Sequence, residues 1–553
     1  MRQFFLFAGA LFLGNPLLAQ HHELLARKEV FTHADTLRGS VTPQRAWWDL
    51  TYYDLQVKVN IPDSSLSGSN LIQYRVLRSY PVMQIDLMEP LILDSVVQDH
   101  HKLSFRRDGN AFFVSLQSAQ KPGTIRSLTA FYHGKPIVAR RPPWDGGVLW
   151  VKDQQGNPWV EVTCQGMGAS VWFPNKDQQY DEPDSANIRI TCPDSLVDVS
   201  NGRLRYRKEN GDGTATFDWF VSCPINNYDI TINVGKYVHF GDVYEGLKGP
   251  LTLDYWVMPY NLDKAKSEFE QVKSMLKCYE YWFGPYPFYQ DGYKLVESHH
   301  LGMEHQTCVA YGNHYQNGYL GRDLSHTGWG LKWDFIIVHE SAHEWWGNSI
   351  TSKDLADMWV HESFANYAES LYTECQYGKK AGEEYVIGTR RNIVNDRPIV
   401  GKFNVNNEGS GDMYYKGGNM LNTIRAVIHN DSLWRRILTG ANRRFWHQTI
   451  TGKQLEAYFS LMARMDLSKI FSQYLETTQV PQLQYRIQGN RVSYRWANVV
   501  PGFSMPIQAT LSDSTYSFIH PSQTWKSSPF RPSGQGVFRV DDNYYIQIKK
   551  VGD

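Results

Sequence analysis

The sequence predicts an α+β, multidomain fold, and three observations carry that expectation. Residues 52–237 alternate apolar and polar side chains with period two, residues 263–465 repeat apolar residues at helical spacing, and alternation returns after Pro481. A chain of 553 residues needs more than one core, so two to four domains are expected, and 42% hydrophobic residues are ample to build them. Lys and Arg number 56 against 56 Asp and Glu, with no basic run. Nucleic acids and anionic membranes are bound chiefly through clustered cations, so no nucleic-acid partner is expected.

In chain order, the first element is a targeting segment. Arg2, the apolar run from Phe4 to Gly14 and the small-residue site Leu17-Leu18-Ala19 read as a secretory signal peptide over residues 1–19. The mature protein is then expected to be secreted or periplasmic. The run is too short to span a bilayer and no later stretch reaches about twenty apolar residues, so no integral membrane segment is expected in the mature chain. Cys164, Cys192, Cys223, Cys278, Cys308 and Cys375 lack the density of a disulfide scaffold and form no Cys-x-x-Cys pair. One or two bridges are compatible with this spacing, and the pairing is not readable.

A β-rich domain is expected over residues 45–255, from the alternation of Leu55, Val57, Val59 and Ile61 and the turn signals Asn201-Gly202 and Asp212-Gly213. A mostly helical domain follows over 256–480. Asp263 to Phe283 opens it behind an Asp suited to start a helix, with Phe269, Val272, Met275, Leu276 and Tyr279 on one face. Further helices are expected at 333–348, 361–377, 381–395, 415–429, 433–445 and 452–465, and a strand-like segment between Tyr289 and Gly312. A small β domain over 481–553 completes the chain.

Chemistry concentrates in Ile337-Val338-His339-Glu340-Ser341-Ala342-His343-Glu344. On a helix, His339 and His343 stand four apart on one face, where both imidazoles reach a single Zn²⁺. Glu340 lies beside them, placed to take a proton from a water held there. By chance His-Glu-x-x-His arises in roughly one in thirty chains of this composition, so the motif alone only suggests a site. Glu362, nineteen positions after His343, leaves room for a loop and a returning helix, and completes the His₂Glu set used by catalytic zinc. One Zn²⁺ per chain is expected.

With these residues in hand, the chain resembles the aminopeptidase N-like zinc metallopeptidases, the gluzincin aminopeptidases related to leukotriene-A hydrolase. Gly302-Met303-Glu304-His305 is similar to the family's Gly-x-Met-Glu-Asn motif, with His305 where Asn is usual. Val199-Ser200-Asn201-Gly202 and the stretch from Asn348 to Thr351 follow the family wording. The resemblance implies an N-terminal β saddle domain, a thermolysin-like catalytic domain and a small C-terminal β-sandwich. It implies an aminopeptidase acting on peptides with a free N-terminus, whose α-ammonium pairs with Glu304 in a subsite that includes Gly302 and Met303. Such a carboxylate at a fixed distance from zinc sets the cut one residue in. Gln165 occupies the place of a second amine-contacting group, although a plain polar residue at a domain junction is an equal reading. In Met413-Tyr414-Tyr415-Lys416-Gly417, the pattern Tyr-x-Lys-Gly selects Tyr414 to stabilise the oxyanion.

Glu369, seven residues after Glu362, reads equally as a group orienting a ligand imidazole or as a solvated helix carboxylate. Two rivals to an aminopeptidase remain on sequence grounds. A zinc endopeptidase shares the hydrolytic apparatus but has no use for Glu304, and a non-catalytic peptidase-like binding protein would be expected to have lost a ligand or the Glu, none of which is missing.

Overall fold

The computed structural model describes residues 30–512, 515–531 and 537–552; the signal peptide expected at 1–19 lies outside them. The period-two patterning of the N-terminal part becomes an eight-stranded sheet. Its order in space is Arg203–Glu209, Thr214–Val221, Ser185–Pro193, Trp48–Asn60, Ser65–Val76, Ile125–Gly134, Ile92–Gln98 and His101–Leu103. Trp48–Asn60 runs parallel to Ser185–Pro193, with Leu55 opposite Ile188, and antiparallel to Ser65–Val76. Along it Leu55, Val57 and Val59 are buried while Gln56, Lys58 and Asn60 are exposed, which is the physical content of the alternation. A four-stranded sheet includes Gly147–Lys152 and Pro158–Thr163, and the second of these ends two residues before Gln165.

Helix α1 (His33–Gly39) precedes the sheets, started by a capping box between Thr32 and Asp35. It had no counterpart among the expected elements. Its C-terminal carbonyls are gathered by the buried Arg45, which donates to the carbonyls of Leu37, Arg38 and Ser40 and pairs with Asp86 at 2.6 Å. Nearby, Lys176 donates to the Trp48 carbonyl at 2.7 Å and to Asp181, and sits 4.0 Å from the Trp48 ring centroid.

The boundary drawn at 255/256 falls within the strand Gly249–Val257. A five-stranded sheet orders Val238–Gly246, Gly249–Val257, Tyr293–Glu297, Val309–Tyr311 and Gly302–Met303, so a hairpin N-terminal to the 255/256 boundary pairs with strands beyond it, Tyr255 opposite Leu295. Strand pairing is long-range, and a local change of pattern does not report it.

Helices α2 (Leu262–Glu268) and α3 (Gln271–Phe283) replace the single helix expected over 263–283. The break falls at Phe269, whose ring packs against Tyr255 and Tyr311. Helix α4 (Phe335–Ala342) is shorter than the 333–348 expected, because the chain unwinds into turns through Gly347 at φ +140°. Helix α5 (Trp359–Tyr377) follows, then α6 (Lys379–Gly388), whose continuation to residue 392 is a 3₁₀ turn. Then come α7 (Tyr415–Ile428), α8 (Asp431–Arg444), α9 (Gly452–Ala463) and α10 (Ser468–Leu475), the last unanticipated. A disulfide joins Cys278 of α3 to Cys375 of α5.

The C-terminal strands form a four-stranded and a two-stranded sheet. Their buried residues Leu483, Val492, Trp496 and Ile507 continue the core of the helices, whereas the N-terminal sheets enclose a second core around Trp47, Tyr53 and Ile188. No described helix is long and apolar enough to cross a membrane.

Candidate active site

Helix α4 starts where Asp334 accepts from the amides of Ile336 and Ile337. The carboxylate is fixed from behind by the Tyr311 hydroxyl at 2.7 Å and the Asn313 amide at 3.0 Å. This sheet-to-helix tie directs His339 toward a cavity of about 1180 Å³ at the junction of the β sheets and the helices. His343 follows one turn on, in the C-cap position of α4. Helix α5 returns alongside and contributes Glu362.

The donor atoms of His339, His343 and Glu362 lie within 4.8 Å of one another, and Glu362 Oε2 stands 3.5 Å from the Nε2 of each histidine. Bonds of about 2.1 Å to a tetrahedral zinc require ligand atoms about 3.4 Å apart, which these distances meet. The other ring nitrogens are engaged. His339 Nδ1 is 2.8 Å from Glu369 Oε1 and His343 Nδ1 is 3.0 Å from the Trp346 carbonyl oxygen. Both acceptors require the proton on Nδ1, so both Nε2 lone pairs face the shared point. Burial opposes charge on His339, yet Glu362 and Glu369 hold its pKa well above the ordinary value, and Glu362 and Glu304 lift that of His343 to about 9 against the same burial. Burial likewise opposes ionisation of Glu362, yet His343 and His339 hold it well below the usual carboxylate range. A cluster that pulls this hard on protons fits a divalent cation, and His339, His343 and Glu362 form a zinc-ligand set.

Glu369 is fully buried, not solvated. Besides facing His339, it accepts from Asn366 Nδ2 at 3.1 Å and from the Tyr385 hydroxyl at 2.7 Å. Neither Asn366 nor Tyr385 stood out in the sequence, since each is one polar residue on a helix.

Gly302 and Met303 form the short edge strand of the five-stranded sheet and line the cavity. A Cβ on Gly302 would lie 3.0 Å from Glu340 Oε1, so the absent side chain lets this carboxylate approach the strand. Glu304 follows. Its Oε1 accepts from the Tyr228 hydroxyl at 3.2 Å and from Gln165 Nε2, and its backbone carbonyl accepts from Asn348 Nδ2 at 2.8 Å. Gln165 Nε2 also stands 3.5 Å from Glu362 Oε1. Oxygens of Glu304 and Glu340 and a nitrogen of His343 fall within 4.8 Å of one another. His305, in contrast, is buried with both ring nitrogens lacking a hydrogen-bond partner, and its pKa is pushed down to about 3 by burial.

Tyr414 caps α7, its ring centroid 6.0 Å from that of His339. The following glycines make this possible. A Cβ on Gly417 would lie 1.9 Å from Ser363 Oγ and one on Gly418 would lie 2.4 Å from Asn366 Oδ1, so only glycine lets α7 press against α5. Tyr415 also borders the cavity. Burial, then Glu362, Glu408 and Glu304, push the Tyr414 phenol well above its ordinary pKa, so it is a proton donor at neutral pH.

Comparison with known proteins now bears on this geometry. Residues 267–474 match the family described as Peptidase family M1 domain. Over these residues the chain resembles a peptidase family M1 domain. Its sequence is 24% identical over 345 residues to leucine aminopeptidase 2 of Vanderwaltozyma polyspora and 23% identical over 304 residues to leucyl aminopeptidase of Saccharolobus solfataricus. These matches take in 60% and 52% of this chain, but only 48% and 37% of the relatives' own length. In three dimensions it resembles the M1 zinc metallopeptidase of Deinococcus radiodurans, at TM-score 0.67 and 19% identity, covering 78% of this chain and 94% of that one. The likeness extends well beyond the M1 domain into the flanking β sheets.

Proposed function

We propose that this protein is a zinc aminopeptidase that removes the first residue from peptides with a free N-terminus. The observation that carries the reading is the Glu304–Glu340 pair beside the zinc ligands. With His343 Nδ1 held by the Trp346 carbonyl, its single remaining nitrogen serves one ion only. The second acidic cluster is therefore left for a cation that is not a metal, and the α-ammonium of a peptide is such a cation. Burial raises the pKa of both carboxylates, so an incoming positive charge is welcome there.

Bound at His339, His343 and Glu362, zinc would polarise the scissile carbonyl and make water a better acid. The remaining work falls to the chain's own groups. Glu304, oriented by Gln165 and Tyr228, pairs with the α-ammonium and so fixes the first peptide bond over the ligand cluster. Glu340 accepts the proton of the attacking water and delivers it to the leaving amine; its pKa, lifted to about 7 by burial and by Glu304 and Glu362 against the two histidines, suits both tasks. The Tyr414 hydroxyl donates a hydrogen bond to the oxyanion that develops.

The test is hydrolysis of aminoacyl chromogenic amides with and without an N-terminal acetyl group. The reading expects cleavage of the free amines and loss of cleavage on acetylation. Equal rates on both would identify an endopeptidase instead, and no hydrolysis of either by zinc-loaded protein would point to a binding protein on a peptidase scaffold.

A further inference from the structure

Across the Gln165-Gly166 peptide from Glu304 stands another carboxylate, Glu408, on the cavity wall. Its Oε1 would lie 2.9 Å from a Cβ on Gly166, so the absence of a side chain there lets the carboxylate reach the same space that Gln165 and Glu304 border. The loop carrying Glu408 is fixed. A Cβ on Gly401 would fall 2.1 Å from the Asn407 carbonyl oxygen, and one on Gly409 would fall 1.7 Å from the Ile399 carbonyl oxygen. Asn406 Nδ2 ties the loop to the Gly166 carbonyl at 3.0 Å.

Among the described residues Glu408 has neither a hydrogen-bond donor nor an ion-pair partner. Arg397 and Arg38 act on it electrostatically, but they donate to other acceptors. Arg397 donates to Asp396 at 2.9 Å and to the Gly409 carbonyl at 3.1 Å, and Arg38 donates to the Gly166 carbonyl at 2.9 Å. Burial, and after it the neighbouring carboxyl groups of Glu362 and Glu304, push its pKa up. A half-buried carboxylate in such company has no cation paired with it. Met167 and Met303, on the same cavity wall, offer flexible apolar surface to a methylene chain.

We propose that Glu408 receives the cationic side chain of the substrate's first residue, so that the site favours peptides beginning with Lys or Arg. The inference rests on the aminopeptidase reading, in which Glu304 holds the α-ammonium. The two carboxylates then divide the two positive charges of a basic N-terminal residue between them. A neutral isostere that keeps the length and shape of arginine fills the same space and leaves Glu408 unpaired.

The experiment compares arginyl and citrullinyl amides on the zinc-loaded full chain, since the two side chains differ in charge and scarcely in size. For the wild type, kcat/KM for arginyl amide is expected to exceed that for citrullinyl amide by about tenfold or more, the value of a charge-assisted contact. In Glu408→Gln, checked for zinc content, the ratio is expected to fall toward one. Equal rates on the two amides in the wild type, or a ratio unchanged by Glu408→Gln, would overturn the assignment while leaving the aminopeptidase standing. The wild-type ratio decides the matter even if the variant fails to fold. Failure to hydrolyse any free-amine amide would overturn the aminopeptidase reading and this inference together.

Discussion

Two buried clusters of charge sit within this chain, and they are built on opposite plans. In the β sheets Arg45 meets Asp86 and Lys176 meets Asp181, and both cations also donate to backbone carbonyls, Arg45 Nε being left without a partner. In the cleft, Glu304, Glu340, Glu362, Glu369 and Glu408 share the wall with the imidazoles of His339 and His343, and among the described residues no lysine or arginine forms a salt bridge with any of the five. In the first cluster each cation has its counter-charge within the fold. In the proposed reading the second is completed from outside, by a metal and by the positive charges of a substrate. Burying unpaired charge is expensive, so a surplus of one sign in a cleft marks the place where a ligand of the other sign belongs.

The sharpest way to break this contrast is Glu340→Gln, which removes one acidic group from the unbalanced cluster and none of the zinc ligands. A loss of roughly 10²–10⁴ in kcat is expected, with zinc content unchanged by metal analysis; activity near wild type would show that another group takes the proton. In the balanced cluster, Asp86→Ala strands Arg45 without a counter-charge and should cost about 3–5 kcal/mol of stability in urea unfolding. The folded fraction should keep its kcat, and a lower kcat at unchanged stability would mean that the two clusters are not independent.

Tyr414→Phe should lose roughly 10²–10³ in kcat while retaining zinc, with Tyr415→Phe as the control; a reversal of the two effects would reassign the oxyanion donor. The smallest effect belongs to Glu369→Gln, which leaves an acceptor for His339 Nδ1 but removes its charge. Zinc affinity is expected to fall about 10–100-fold in a chelator competition, and an unchanged affinity would make Glu369 a packing residue.

The zinc set was legible because its spacing is local. Residues four apart on a helix share a face whatever surrounds them, and Glu362 needs only one loop to return beside them. The fold class was legible for the same reason, since periods of 2 and 3.6 are properties of short windows. What stayed hidden depends on meetings between distant segments. Gln165 reaches Glu304 across 139 residues and Glu362 across 197, and Tyr228 joins Glu304 from the 3₁₀ turn Asn227–Asp229. Glu408 lies in a loop with no periodicity to flag it, and the role proposed for it depends on Gly166, which is 242 positions away in sequence. The sheet that crosses residue 255 was hidden by the same distance.

The bridge between Cys278 and Cys375 gives the metal site a thermodynamic dependence on its surroundings. Its cysteines lie 97 residues apart, one on α3 and one on α5, the helix that carries Glu362. Closing a loop of that size removes conformational freedom from the unfolded chain worth about 4–5 kcal/mol in the chain-entropy account. The other described thiols compete poorly for exchange, since Cys164, Cys192, Cys223 and Cys308 are all buried, and burial pushes Cys223 and Cys308 up to about 12. In a reducing medium the unfolded ensemble regains that freedom, and the fold that holds Glu362 on α5 becomes easier to lose. The redox potential of the compartment thus enters the zinc-binding equilibrium, although no cysteine touches the metal.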